Sequence, residues 1–256
     1  FPTRRSSDLV TSDNRSVPAR GVANLERLGA ERDVVGVLCG KLSPVVIEQL
    51  PTLHALRLPL LAPWAAADAI IDNGQRPNYA SRMGLSDTLA IDALLGEIER
   101  RKLRRIGLLA PQTAWGRSCQ YAAERYIASR ARQRLEIVGI EWHRWGTHDS
   151  IPDSYRTLLE LGADALLLIA NEPEGAALVK GLAGMPAQDL RPIFSHWGIS
   201  GGCFPELCGA ARQHVELELV QSFSFTYARG EDGARLAQRA MRHFGAEIGR
   251  ASCRER

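Results

Sequence analysis

Short apolar runs alternate with amphipathic stretches through most of the chain, a rhythm that predicts stacked strand-and-helix units around a mainly parallel sheet. The runs "DVVGVLC" (Asp33 to Cys39), "LPLLAP" (Leu58 to Pro63), "RIGLLAP" (Arg105 to Pro111), "EIVGIEW" (Glu136 to Trp142), "DALLLIA" (Asp164 to Ala170), "RPIFS" (Arg191 to Ser195) and "ELVQSFSF" (Glu218 to Phe225) read as strands. Most are nearly continuous in apolar character, as strands covered on both faces are.

The stretches between them carry helical spacing. "SDTLAIDALLGEIERRK" offers Ser86 and Asp87 as caps, repeats apolar residues at Leu89, Ala93, Leu94 and Ile98, and ends in basic residues suited to the negative end of a helix. "YRTLLELG" stops on Gly162, and "EPEGAALVKGLAG" places Pro173 and two glutamates in its first turn. No internal repeat, low-complexity tract or Gly/Ser linker interrupts the rhythm.

Both ends break it. "FPTRRSSDL" (residues 1–9) and "EIGRASCRER" (residues 247–256) are patternless and rich in arginine. The first is the translation of TTC CCT ACA CGA CGC TCT TCC GAT CT, a sequence resembling a short-read sequencing adapter, and Ile248 to Glu255 is its reverse complement read one frame over. Both ends are therefore expected to be translated adapter, leaving Val10 to Ala246 for the fold. They hold five arginines and three acids of the totals of 32 basic and 29 acidic residues, so the formal charge falls from +3 to +1. A nearly neutral chain gives no ground for nucleic-acid binding or for an anionic membrane as partner. No apolar run reaches the roughly 18 residues needed to span a bilayer. The remaining cysteines, Cys39, Cys119, Cys203 and Cys208, form no CxxC and no Cys/His spacing typical of zinc, so the sequence points to no metal site. Cys203 and Cys208 could bridge in an oxidising compartment or stay as two reduced thiols.

Ligands of such sheets bind at the loops that follow the strands. In "CGKLSPVV", Gly40 frees the backbone, Ser43 can cap, and Pro44 suits a first helical turn whose amides could hold an anion, though an ordinary capped helix would look the same. "APWAAADAI" supplies Trp64 and three small residues, Ala65, Ala66 and Ala67, that let a ligand approach the backbone. "APQTAWG" places Trp115 after another strand, "ANEPEG" offers Asn171, Glu172 and Glu174, and "SHWG" offers His196 and Trp197. A single tryptophan usually packs; three at equivalent loops suit the wall of a small-molecule site. Catalytic motifs do not emerge. "GISGG" lacks the spacing of a nucleophile elbow, no GxxxxGK[ST] or GxGxxG occurs, and His143 and His148 fit neither HExxH nor a dyad. The chain reads as a non-enzyme without a cofactor.

The order of these loops resembles the type I periplasmic binding proteins, in particular the branched-chain amino acid receptor group of ABC importers. The resemblance runs, in order, through "VTSDNRSVPARGVANLERL" (a strand ending in Asp13, then a helix), "VVGVLCGKLSPVV", "LPLLAPWAAADAI", "NYASRMGLSDTLAIDALL", "RIGLLAPQTAWGRS", "GADALLLIANEPEGAALVKGL" and "RPIFSHWGISGG". It implies an α/β fold of two Rossmann-like lobes with parallel sheets, truncated here at both ends. Residues 10–84 and 226–246 would form lobe one, which lacks its first strand and helix, and residues 85–225 lobe two, the sturdier half.

By the same resemblance, Ser43, Ala65, Ala66 and Ala67 would grip a ligand carboxylate and Trp115 would close over the ligand, with Lys41, Trp64, Asn171, Glu172, His196 and Trp197 as further ligand-binding residues. The receptors commonly carry tyrosine where Trp115 stands. Where they carry an acid for the ammonium, this chain has His196 and Trp197, leaving only Glu172 or Glu174 for that task. Amides, urea-like molecules, short-chain acids and aromatic acids thus stay open beside amino acids. The implied activity is extracytoplasmic (periplasmic) ligand capture and delivery to an ABC permease, with no membrane insertion of this chain. A ligand sensor of the same fold, feeding a receptor or regulator, is the alternative.

Overall fold

A computed structural model describes residues 9–130, 135–200, 203–222 and 230–244. The adapter expectation for the two ends, Leu9 apart, falls outside these residues. The chain divides after Gly84 into two compact units.

The first unit contains α1 (Pro18–Gly29), β1 (Val37–Leu38), α2 (Ser43–Leu56), β2 (Leu60–Ala62) and β3 (Ala80–Arg82). The strands form a parallel sheet in the order β1-β2-β3. Leu25 of α1 and Val46, Leu50 and Leu53 of α2 pack with Leu60, Ala62 and Ala80 of the sheet. The strands are shorter than the apolar runs predict. β1 keeps two residues of Asp33 to Cys39, because Val35 (86% exposed) and Leu38 (71%) find nothing to pack against. The strand expected to end at Asp13 is not formed; residues 9–14 are irregular, and the helix after them is present as α1. β3 is a strand the apolar pattern does not announce, since "ASR" contains no apolar run.

The second unit is a complete doubly wound layer: β4 (Arg105–Pro111), β5 (Glu136–His143), β6 (Ala165–Leu168), β7 (Ile193–Ser195) and β8 (Leu217–Leu219) pair in parallel in the order β5-β4-β6-β7-β8. Here the expected strands form, trimmed by a few residues except at β4 and β5; β8 begins one residue early and ends at Leu219, and the expected Phe223 to Phe225 lie outside the described residues. Helices α3 (Asp87–Arg100) and α4 (Ala114–Ser129) cover one face. On it Ile91, Leu95 and Ile98 meet Ile106, Leu108 and Ala110 of β4 together with Ala165, Leu167 and Phe194. Helices α5 (Ile151–Glu160), α6 (Glu172–Leu182) and α7 (Phe204–Cys208) cover the other, against Leu109, Leu166, Leu168 and Ile193. Alternate residues of β4 thus enter different cores, which is why its apolar run is unbroken. α8 (Gly230–Phe244) exposes Leu236 and Met241.

The capping residues are only partly as expected. Ser86 caps α3, its Oγ accepting the Leu89 N–H at 3.1 Å. Ser43 does not cap α2: the N-cap is Leu42, and the Ser43 hydroxyl turns elsewhere. Cys208 is a free, buried thiol, so it forms no bridge with Cys203. No helix of the described residues is long and apolar enough to cross a membrane.

Candidate functional site

In both units the parallel strands end on the same edge of their sheet, so the loops that follow them gather there. In the first unit, Ser43 at the start of α2 is buried and its Oγ accepts the Ala66 and Ala67 N–H groups at 3.1 and 3.2 Å. The Ala65 N–H goes to the Gly40 carbonyl at 2.7 Å. Gly40 holds φ +133°, and a Cβ there would come within 2.8 Å of the Ala62 Cβ, so glycine is required for the loop after β1 to lie against β2. Arg82, at the end of β3, donates from Nη1 to the Ala66 and Ala67 carbonyls at 2.9 and 3.1 Å.

The sequence-predicted loop Ser43/Ala65–Ala67 is thus one hydrogen-bonded unit. Its amides are occupied internally, while the Ser43 hydroxyl, accepting two bonds, keeps its own proton to donate. Arg82 is a residue the sequence reading missed; a basic residue closing a short strand before "MG" was its only trace. Lys41 and Trp64 are exposed beside this loop.

The second unit assembles an aromatic wall. Trp115 is not on a loop, as its position after β4 suggests, but in the first turn of α4, which Thr113 caps at the long distance of 3.5 Å from the Gly116 N–H. Its buried indole packs edge-on against His196, which follows β7, with ring centroids 5.2 Å apart at 75°. On the other side Trp197 lies 3.8 Å from the imidazole, tilted by 35°.

Asp87, wholly buried in the first turn of α3, organises this wall: its Oδ1 accepts the Trp115 Nε1–H at 3.2 Å and lies 3.2 Å from His196 Nε2. Two glycines make the packing possible. A Cβ on Gly116 would fall 2.0 Å from the Pro111 carbonyl oxygen, and one on Gly198 would fall 2.3 Å from that of Ala170 and 2.6 Å from the Trp115 ring. Sequence reasoning took Asp87 for a helix cap and missed this role, which no local pattern signals.

Asn171 and Glu172, half-buried at the start of α6, stand at the end of β6, next to β7 in the sheet. Glu174 is buried and accepts the Gly146 N–H at 3.1 Å, tying the loop after β5 to α6. His143 ends β5 with Nε2 2.9 Å from the Ile169 carbonyl, and burial pushes its pKa below the ordinary 6.5, against smaller upward pulls from that carbonyl and then from Glu174.

The profile of a family described as "Periplasmic binding protein" matches residues 5–192. No curated protein matches the sequence closely enough to count as a relative. Among solved structures, an ABC-transporter solute-binding protein from R. palustris in complex with 4-hydroxybenzoate is similar at 16% identity and a TM-score of 0.77, over 95% of this chain and 64% of that one. The leucine-binding protein LivK of Thermotoga maritima gives 14% and 0.75, over 91% and 64%. LivJ of Streptococcus pneumoniae, in complex with isoleucine, gives 19% and 0.70, over 91% and 64%. The chain spans less than two thirds of the length of each of these structures, and the likeness is one of fold.

Proposed function

Since the chain belongs to the periplasmic binding protein family, we propose that it is the ligand-capturing part of an ABC importer, working outside the cytoplasm and handing its ligand to a membrane permease. Ligand is held, not transformed. In the first unit, the Ser43 hydroxyl donates to a carboxylate or a similar polar group, and the Ala65–Ala67 loop, its amides and carbonyls tied to Ser43, Gly40 and Arg82, holds that hydroxyl in place. In the second, Trp115 and Trp197 cover the body of the ligand, with the buried His196 packed against both as their support and Asn171 and Glu172 at the rim. By the resemblance, residues 10–84 with 226–246 count as one lobe and 85–225 as the other, and the ligand favours whichever conformation binds it more tightly.

The observation that carries the reading is the aromatic wall held by a buried carboxylate at the strand ends, where an α/β sheet binds its ligands. It also bears on ligand class. The position after β7 presents an imidazole and an indole in place of an acid, and Glu174 and Asp87 are buried, so half-buried Glu172 is the carboxylate within reach of an ammonium group. Small carboxylates with a flat apolar body, and uncharged amides, fit this surface better than α-amino acids. Relatives by fold bind 4-hydroxybenzoate in one case and isoleucine in another, so both classes belong in the assay.

The experiment is a thermal-shift scan of the chain against hydroxybenzoates, short-chain acids, amides, urea and amino acids. A ligand at a hundredfold excess over its Kd raises stability by about 2.7 kcal/mol. A hit that disappears in Trp115→Ala, with that variant still folded, supports the reading; a hit that survives both Trp115→Ala and Ser43→Ala sinks it.

A further inference from the structure

We propose that Asp87, Cys119 and His196 form a binding site for one divalent transition-metal ion, zinc by preference. Each residue offers one donor atom, and the three atoms all lie within 4.8 Å of one another. They come from three separate elements, the first turn of α3, the second turn of α4 and the segment after β7, and all three side chains are closed to solvent.

Protein contacts leave the cluster incompletely satisfied. Among the described residues, Asp87 Oδ2 and both ring nitrogens of His196 lack a hydrogen-bond partner; His196 Nε2 lies 3.2 Å from Asp87 Oδ1 but is not aligned to donate to it. Buried polar atoms of this kind are costly, and two adjacent residues sharing the defect point to a missing common partner.

A cation is the partner that serves all of them. A thiolate, an imidazole and a carboxylate make a borderline-soft donor set of the type that selects zinc, and three protein donors leave a fourth position for water or an anion. The Trp115 Nε1–H bond to Asp87 Oδ1 is the outer contact such a ligand needs: it fixes the carboxylate and leaves Oδ2 for the metal. On binding, Cys119 gives up its thiol proton to solvent, so affinity rises with pH. Because the donors are buried, the ion enters as the chain folds. The sequence concealed the site because its ligands are far apart in the chain and match no local zinc spacing.

The test uses the full chain, stripped with a chelator, then either titrated with cobalt(II) or refolded in its presence, with no organic ligand added. The expected result is one equivalent of bound cobalt with a thiolate-to-cobalt charge-transfer band in the near ultraviolet, discharged by zinc. Cys119→Ser abolishes the band, while Cys39→Ser and Cys208→Ser keep it. Trp115→Phe, which removes the outer hydrogen bond, weakens binding by about tenfold. If Cys119→Ser does not fold by circular dichroism, loss of the band in folded His196→Gln stands in its place. A folded wild-type chain that shows no such band by either route overturns the proposal, as does a band unchanged in Cys119→Ser or His196→Gln. Since no organic ligand is present, the outcome is independent of the transport reading.

Discussion

At Gly116 and Gly198 the backbone of one element touches that of another, and the two contacts set where Trp115 lies. A methyl group at either position would have to displace a carbonyl oxygen, which cannot swing aside as a side chain can. Gly116→Ala and Gly198→Ala are each expected to cost about 1–3 kcal/mol, read from the denaturant midpoint, and to weaken any ligand that Trp115 covers. His143 gives a residue-scale prediction in pH. Its folded pKa lies below 6.5 because burial disfavours the imidazolium, with the Ile169 carbonyl and then Glu174 opposing it and His148 adding slightly to it. Between the folded value and 6.5 the unfolded chain binds more protons than the folded one, so stability rises with pH in that window. The contribution is complete above 6.5 and is lost as the pH falls toward the folded value. Urea titrations on either side of pH 6.5 should show this slope, and His143→Gln should flatten it.

Elements owe their limits to local chemistry in some places and to neighbours in others. α3 starts where Ser86 can cap it, and Ser86→Ala is expected to cost about 1 kcal/mol by thermal or urea unfolding. Ser43, the same residue type before a proline at another helix start, turns its hydroxyl to the Ala66 and Ala67 amides. Nothing in the local sequence separates the two serines; what differs is whether a donor-rich loop from another strand lies within reach. Strand length follows the same logic. β4 and its neighbour β5 keep their full predicted runs because they pair along seven positions and their side chains reach the two cores, whereas β1 keeps two residues because Val35 and Leu38 have no core to enter. At the end of α3, Arg101 pairs with Glu216 and Glu218, fastening that helix to β8. These groups are partly exposed, so Arg101→Ala should cost no more than about 1 kcal/mol.

For the whole molecule, the two units differ in how much core they own. The second sandwiches five strands between two helical layers with a core on each face; the first has three short strands and leaves Val35 and Leu38 in water. Limited proteolysis should therefore leave a resistant fragment beginning near Leu85 while residues before Gly84 are cut first; equal survival of both halves would contradict this. The sequence by itself determined the fold class and most of the second unit, because continuous apolar runs, helical periodicity and caps act over a few residues and are written where they act. It also singled out Trp115, His196 and Trp197, whose rings the structure brings together, since positions after strands of a parallel sheet converge on one edge. Only the tertiary structure decided that Asp87 holds that wall, that Arg82 backs the alanine loop, and that Cys119 meets Asp87 and His196. Those contacts join residues of different elements: β3 beside β2 sets Arg82 against the alanine loop, and the order β4-β6-β7 with the packing of α3 on α4 brings Asp87, Trp115, Cys119 and His196 together, a result no local pattern encodes.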